Sequence, residues 1–276
     1  MACTNCGHNL KENFCPYCGE KRFDKKNLTV KHFTEETFEG FLHLDNKFLS
    51  SLKLLFTKPG LLSLDHVEGR QTRHMKPIAF FLVLNLLFFL VMIIVNPYSL
   101  SLYNYITYHP FINYNTQHII HEKLKTLHLT LPEYTRVFDV KMHSDSKGYI
   151  FAFIPVYGLI SWLLFIKYRR LAVEHLVFAT HFVAFILCYF FLQIYLLIIP
   201  FYYFTKIPYS PDFDNISSLM TAIIIGGYFA IASRRFYKAS MVWSVITGCI
   251  IAFSFFELIQ AYRMLLFFKI VYFKYF

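Results

Sequence analysis

The sequence lacks the short motifs that identify the common catalytic folds. It contains no Gly-x-Ser-x-Gly, no phosphate-binding loop ending in Gly-Lys-Ser or Gly-Lys-Thr, no Gly-x-Gly-x-x-Gly and no His-Glu-x-x-His. The first absence argues against a serine hydrolase, the next two against a nucleotide-dependent enzyme, and the last against a zinc protease. The class of protein therefore has to be inferred from composition and patterning.

The sequence also contains few charged residues. Only 16% of the 276 residues are charged, whereas 56% are hydrophobic and 20% are aromatic. Soluble domains carry about 25% charged residues, so this composition predicts a protein that lies largely in a lipid bilayer. The net charge of +10 would also suit a nucleic-acid-binding protein. However, residues 1–76 hold 12 basic against 9 acidic side chains and the remainder 15 against 8, so we expect the excess at membrane borders.

Five apolar stretches are long enough for a helix to cross a bilayer, which takes about 20 residues. They cover residues 77–95, 150–166, 176–199, 216–232 and 241–262. Together they predict a transmembrane domain over residues 77–276, with residues 96–149 as an outer loop.

Basic side chains flank three of these stretches and predict the orientation, because Lys and Arg accumulate on the cytoplasmic side. They precede the first stretch and follow the second and the fourth: Arg70, Arg73 and Lys76; Lys167, Arg169 and Arg170; Arg234, Arg235 and Lys238. The N-terminus is then expected in the cytoplasm. An odd number of spans places the aromatic tail, residues 267–276, on the outer face.

Two Cys-x-x-Cys-Gly knuckles lie within the first nineteen residues, formed by Cys3, Cys6, Cys15 and Cys18. Four thiolates suit the tetrahedral preference of zinc, and a glycine after each pair lets the backbone curl around the metal. The alternative is a pair of disulfides. Since no signal-peptide pattern precedes Cys3, we expect reduced cysteines, one structural Zn²⁺ and a zinc ribbon over residues 1–24.

Residues 28–68 show helical periodicity but are too short and too polar to cross a membrane. Apolar side chains recur at spacings of three and four in two segments, Phe33 to Phe41 and Phe48 to Phe56. Lys58-Pro59-Gly60 ends the second segment. We expect amphipathic helices on the inner leaflet or under the transmembrane bundle; the alternative is a linker hairpin that packs on itself.

Several short motifs follow one another in an order that resembles a bacterial family of zinc-ribbon membrane proteins of unknown function. They are Cys-Pro-Tyr-Cys-Gly-Glu-Lys (15–21), Leu-Asp-Asn-Lys-Phe (44–48), Ser-Leu-Lys-Leu-Leu (51–55), Lys-Pro-Gly (58–60), Glu-Gly-Arg (68–70), Lys-Pro-Ile (76–78), Glu-His-Leu-Val-Phe (174–178) and His-Phe (181–182). The resemblance implies the architecture above and no particular chemistry. In layout alone, the chain is also similar to Yip-type membrane proteins.

Glu174, His175 and His181 border the start of the third apolar stretch and form a candidate polar site in the membrane. Ionisable groups there are costly and are functional candidates for that reason. One helix cannot direct all three at a single metal, because His175 and His181 differ by about 600° around the axis. Three interpretations remain: Glu174 pairs with a basic flank while His181 hydrogen-bonds inside the bundle; the three form a proton or metal relay; or they contact a lipid headgroup or substrate.

Small residues recur every fourth position in the last two apolar stretches: Ala222, Gly226 and Ala230 in one, and Ser244, Gly248 and Ala252 in the other. Such grooves let helix backbones approach closely in lipid. They predict a tight hairpin of the two spans; the alternative is a homodimer through one groove.

The sequence thus predicts an all-α integral membrane protein with about five transmembrane helices, preceded by a small zinc ribbon and amphipathic juxtamembrane helices. We expect a non-enzymatic accessory or adaptor of the bacterial inner membrane whose ribbon and juxtamembrane helices bind a membrane or cytoplasmic protein complex. The alternative is a membrane enzyme or transporter that uses Glu174, His175 and His181. Nucleic-acid binding is disfavoured, because basic and acidic side chains nearly balance in the ribbon and few aromatics are there to stack on bases.

Overall fold

The structure is a computed structural model that describes residues 2–10, 12–22, 47–91, 98–107, 115–205 and 211–272. Within these residues the chain is helical, and the only β-pairing is two isolated bridges in the cysteine-rich segment. The predicted amphipathic segment from Phe33 to Phe41 lies outside the described residues. An all-helical protein is therefore confirmed for the described part of the chain.

Eleven α-helices follow the cysteine-rich segment in the described residues. They are α1 (Lys47–Thr57), α2 (Leu61–Val67), α3 (Pro77–Val91), α4 (Leu102–Thr107), α5 (Thr116–Leu127), α6 (Leu131–Gly148), α7 (Phe153–Leu164), α8 (Ala172–Leu192), α9 (Ile199–Thr205), α10 (Pro211–Tyr237) and α11 (Met241–Tyr272). A π-helical segment, Gln193–Ile198, joins α8 to α9 without a break, and 3₁₀ turns lie at Ile150–Ala152 and Ile166–Tyr168.

Three helical segments are long and apolar enough to cross a membrane: Ala172–Thr205, Ile216–Tyr237 and Met241–Tyr272. The number of candidate spans rises to four if the bent pair Leu131–Gly148 and Ile150–Leu164 counts as one span. The first predicted span corresponds to the shorter apolar helix Pro77–Leu90. A membrane protein is thus supported, while the number of five spans stays a prediction.

The described helices differ in length from the predicted spans at several ends. The last span, predicted to end at residue 262, continues to Tyr272, so most of the expected aromatic tail is helical. The stretch predicted as an outer loop contains α4, α5 and α6. Helix α6 begins with a capping box in which Thr130 and Glu133 satisfy each other's backbone groups.

The chain forms two compact units, and the first comprises residues 1–87 and 152–252. Its centre is α8, whose side chains from Val177 to Ile186 are all buried. Aromatic rings on α7 and α10 surround this helix: Tyr157 packs edge-on against Phe182, and Tyr228 stacks on Phe185 at 3.5 Å. The apolar sides of a helix can be covered by lipid or by protein, and for α8 the neighbouring helices cover them.

Helices α1 and α2 pack on the bundle of this first unit. Phe56 of α1 contacts Phe185, which lies about 20 Å along α8 from its first residue. Gly60, at the turn between α1 and α2, has a φ of 80°, and a Cβ there would collide with the Ala232 carbonyl of α10. Arg235 donates a hydrogen bond to the Pro59 carbonyl beside it. Helices α1 and α2 are thus packed against the other helices of the first unit.

The second unit comprises residues 88–151 and 253–276. Its core is an aromatic cluster in which Tyr105 contacts both Phe138 and Phe267. Lys269 donates hydrogen bonds to Asp145 at 2.8 Å and to the Tyr149 hydroxyl at 3.0 Å. These contacts hold α4 and α6 against the C-terminal half of α11.

Candidate functional site

The two cysteine knuckles have the same backbone hydrogen bonds. In the first, the Cys3 N–H donates to the His8 carbonyl at 2.8 Å and the Gly7 N–H donates to the Cys3 carbonyl at 2.9 Å. The second repeats both bonds with Cys15, Gly19 and Glu20. Both glycines are left-handed, with φ of 80° and 70°, so the spacing Cys-x-x-Cys-Gly is what closes each turn.

The four thiols meet between the knuckles. The four Sγ atoms all lie within 4.8 Å of one another, with Cys3 and Cys18 at 3.6 Å and Cys6 and Cys15 at 3.5 Å. Four sulfurs bound tetrahedrally at about 2.3 Å from a metal lie about 3.8 Å apart. The four predicted ligands are therefore brought together with a spacing that fits one metal ion.

The environment of the thiols also favours a cation. A backbone hydrogen bond from Cys6 lowers the pKa of the Cys3 thiol to about 7, which favours the thiolate. At Cys6 a hydrogen bond from the His8 backbone acts in the same direction, but burial and the three neighbouring thiols outweigh it and raise the pKa to about 12. Four thiolates at this distance repel one another, and a divalent ion removes that repulsion.

The ribbon is fastened to the loop that precedes α3 by a buried carboxylate. Glu20, which is 4% exposed, accepts hydrogen bonds on one oxygen from the Gln71 N–H (3.0 Å), the Thr72 N–H (2.9 Å) and the Thr72 hydroxyl (2.8 Å). Thr4 donates to the Gly69 carbonyl at 2.9 Å, and Asn5 donates to Thr72 at 2.8 Å. Hydrogen bonds therefore join the cysteine-rich segment directly to the first helical unit.

The same loop is tied to α2 by Asp65. Its carboxylate accepts hydrogen bonds from Arg70 at 2.6 and 2.9 Å and lies 3.2 Å from His74 Nε2. Burial alone would raise the pKa of Asp65, but the hydrogen bonds from His74 and Arg70 outweigh it, so the pKa lies below its usual value. Asp65 thus positions the backbone that Glu20 binds.

The structure directs Glu174, His175 and His181 to three separate partners. Glu174 is buried and pairs with Arg170 at 3.3 Å. His175 Nδ1 lies 2.8 Å from the Tyr237 hydroxyl of α10, and His181 Nδ1 lies 2.9 Å from the Ser63 hydroxyl of α2. The predicted polar site is therefore not one cluster: Glu174 pairs with the segment just before α8, His175 links α8 to α10, and His181 links it to α2.

A pocket of about 490 Å³ opens beside Glu174, where the ends of α2, α7 and α10 meet the start of α8. Its lining is rich in charge and contains Val67, Glu68, Arg169, Arg170, Leu171, Glu174 and Lys238. Arg170 is fixed there, because it also donates to the Phe236 carbonyl at 2.8 Å and lies over the Phe236 ring.

The small residues of α10 and α11 face each other. A Cβ on Gly226 would lie 2.8 Å from the Gly248 carbonyl oxygen and 3.0 Å from the Ala252 Cβ. A Cβ on Gly248 would lie 2.6 Å from the Gly226 carbonyl oxygen and 2.9 Å from the Ala230 Cβ. The two grooves are thus in contact within one chain, and each leaves no room for a larger side chain.

Sequence reasoning missed the two groups that position the ribbon and the loop, Glu20 and Asp65. Glu20 follows the second knuckle in Cys-Gly-Glu-Lys, but Glu12 and Asp24 lie in the same segment, so nothing in the local sequence singles Glu20 out. Its partners Gln71 and Thr72 are more than fifty residues away, and nothing in the local pattern indicates them.

A family model described as "Protein of unknown function (DUF3667)" matches residues 45–89. This confirms the resemblance to an uncharacterised family for the segment that contains α1, α2, the Asp65–Arg70–His74 contacts and most of α3. The searches of curated proteins and of solved structures gave no significant match.

Proposed function

We propose that this protein is a non-enzymatic accessory or adaptor of the bacterial inner membrane, whose cytoplasmic ribbon and juxtamembrane helices bind a protein partner. The observation that carries the proposal is the buried Glu20, which fastens the ribbon to the Gln71–Thr72 backbone. A ribbon held in one position presents its outer surface at a constant place, which reduces the entropy lost when a partner binds.

The outer surface of the ribbon is suited to such contacts. Tyr17 is 74% exposed and Phe14 is 58% exposed, and the Tyr17 ring stacks on His8 at 3.9 Å. Exposed aromatic side chains are enriched where proteins bind one another. We propose His8, Phe14 and Tyr17 as the contact surface, called here the knuckle face.

We propose that the metal is a single structural Zn²⁺ held by Cys3, Cys6, Cys15 and Cys18. Four thiolates leave no open coordination position, so a zinc ion here stabilises the fold of the ribbon and does not act on a substrate. The short thiol–thiol distances and the exclusively sulfur ligand set support zinc over Mg²⁺ or Ca²⁺, which prefer oxygen.

For the topology we propose five spans with the N-terminus in the cytoplasm, supported by the basic flanks and the three long apolar helices. Reporter fusions test it: fusions after residue 30 or 236 should report the cytoplasm, and fusions near residue 120 or 210 the outside. Protection of residue 120 from a membrane-impermeant label would contradict this arrangement.

The adaptor proposal is tested by affinity purification from gently solubilised membranes. The double variant Phe14→Ser and Tyr17→Ser should lose bound partner proteins, while Tyr103→Ser, which removes an exposed tyrosine outside the ribbon, should retain them. Metal content should be equal in all three proteins. Equal partner recovery from the knuckle-face variant and from Tyr103→Ser would refute the proposal.

The alternative function, a membrane enzyme or transporter, has less support because Glu174, His175 and His181 do not converge. It still yields a distinct expectation. If these groups are structural, Glu174→Gln at the helix end should be tolerated better than His181→Leu, which leaves the Ser63 hydroxyl buried without its partner. Proteins that stay abundant and inserted after both changes, but lose their biological activity, would favour the enzyme or transporter.

A further inference from the structure

The charged pocket beside Glu174 is lined by three basic and two acidic side chains. Glu174 pairs with Arg170, and Glu68 pairs at 2.6 Å with Arg70, which also pairs with Asp65. Across the part of the chain that the structure describes, the side chains of Arg169 and Lys238 have no hydrogen-bond or ion-pair partner. The lining therefore has a formal charge of +1, and Arg169 and Lys238 are its two basic groups without an ion-pair partner among the described residues.

Both of these basic residues have an unusual backbone conformation. Arg169 ends the 3₁₀ turn after α7 with a φ of 49°, and Lys238 follows α10 with a φ of 57°. Residues other than glycine rarely adopt this left-handed conformation, which costs about 1 kcal/mol. Because both residues line the same pocket, their side chains converge on it from two different helix ends.

The pocket also lies where the candidate spans terminate. Ala172 begins the first span, Tyr237 ends the second and Met241 begins the third, and all three positions are within a few residues of Arg170 or Lys238. Leu171, 48% exposed, supplies an apolar wall beside the basic groups. Phosphate groups of lipids lie at the depth where membrane spans end, so the basic and apolar groups of this pocket would lie beside them.

We propose that Arg169 and Lys238 bind a phosphate group in this pocket, carried by an anionic lipid headgroup or by a soluble phosphate ester. Arg169 can donate two parallel hydrogen bonds to phosphate oxygens, and Lys238 supplies a point charge from the opposite wall. Glu174 does not contact the phosphate: it pairs with Arg170, which donates a hydrogen bond to the Phe236 carbonyl of α10. The site is independent of the ribbon and of the proposed protein partner.

The test uses the full chain in neutral detergent and native mass spectrometry to count bound lipids. The probes are phosphatidylglycerol and a diacylglycerol with the same acyl chains but no phosphate. The pocket variant is Arg169→Asn with Lys238→Asn, since asparagine removes the charge and tolerates the left-handed backbone. The control variant, Lys167→Gln with Arg234→Gln, removes the same charge from exposed positions near the same helix ends that do not line the pocket.

The wild-type protein should bind phosphatidylglycerol at least about tenfold more tightly than diacylglycerol, since a charge-assisted hydrogen bond contributes roughly that factor. The pocket variant should lose this preference and the control should keep it within about twofold. If the double variant does not fold, Lys238→Asn alone serves, with a loss of roughly tenfold expected. Inorganic phosphate distinguishes the two sources: binding of phosphate at millimolar concentration by the wild type but not by the pocket variant, with no preference for phosphatidylglycerol over diacylglycerol, identifies a soluble ester.

Two results would overturn the proposal. The first is equal binding of both phosphatidylglycerol and inorganic phosphate by the wild type and the pocket variant. The second is an equal loss in the control variant, which would show that the binding reflects general surface charge and not the pocket.

Discussion

Replacing Glu20 by alanine should release the ribbon from the helical unit without removing its metal. The carboxylate accepts three hydrogen bonds, from the N–H groups of Gln71 and Thr72 and from the Thr72 hydroxyl. Alanine leaves all three donors without an acceptor. Each loss costs about 1 kcal/mol at the lower end of the usual range, which applies because Gln71 and Thr72 are only half-buried. The sum, about 3 kcal/mol, corresponds to roughly a hundredfold in the docking equilibrium.

Hydrogen exchange measures this effect at the amides concerned. Protection of an amide reflects the free energy of the opening that exposes it, so exchange of the peptide containing Gln71 and Thr72 should accelerate by up to about a hundredfold. Glu20→Gln retains an acceptor oxygen without the charge and should give an intermediate rate. Glu12→Ala is the matched control, because Glu12 lies exposed on the same ribbon.

If exchange at Gln71 and Thr72 accelerates by less than about threefold in Glu20→Ala, or by the same factor in Glu12→Ala, Glu20 does not hold the ribbon to this loop. Metal content should stay at one ion per chain in both variants, since the four thiols are held by knuckles that Glu20 contacts only through its backbone. A loss of metal in Glu20→Ala would show that docking and metal binding are one cooperative event.

Three further predictions follow from the contacts above. Purified protein should contain one zinc per chain, and Cys15→Ser should release it and unfold the ribbon alone, as measured by metal analysis and exchange. Gly226→Ala should lower the free energy of unfolding in detergent by about 1–3 kcal/mol, because its Cβ would press on the Gly248 carbonyl. Gly227→Ala is the control, since a Cβ at Gly227 meets nothing within 4 Å and should have no effect. Equal effects of the two changes would contradict the packing of α10 on α11. The pKa of Asp65 is lowered in the folded protein, so its stabilising contribution is present at neutral pH and is lost as the pH falls through that lowered value. Asp65→Asn should therefore destabilise the protein at pH 7, and the difference from the wild type should shrink as the pH is lowered. A difference that stays constant with pH would show that ionisation of Asp65 does not contribute to stability.

The clustering of the four cysteines was predictable because all of the information that it requires is local. Each knuckle is closed by hydrogen bonds between residues at most five positions apart, and the glycine that permits the turn is part of the motif. The apolar helices were predictable for a similar reason, since hydropathy is a property of each segment. Their ends were predicted less well, and α11 continues ten residues beyond the expected border, because charge at Arg263 marks a change in environment and does not stop a helix.

The candidate polar site shows where such reasoning ends. Helical angles correctly indicated that His175 and His181 point in different directions, but they could not name Tyr237 and Ser63 as partners. Likewise, periodicity found an amphipathic face on α1 without showing that Phe56 packs on Phe185. An apolar face is equally satisfied by lipid and by another helix, so its pattern does not distinguish the two.

By itself, the sequence determined the four cysteines that cluster as candidate metal ligands, the helical class and the existence of long apolar segments, because spacing and hydropathy act within a few turns of chain. Only the tertiary structure decided that α8 is the central helix, that Glu20 meets Gln71 and Thr72, and that Arg169 and Lys238 share a pocket. Those contacts join segments tens of residues apart. They depend on which apolar surfaces come together when the chain packs, and the packing free energy belongs to no single segment.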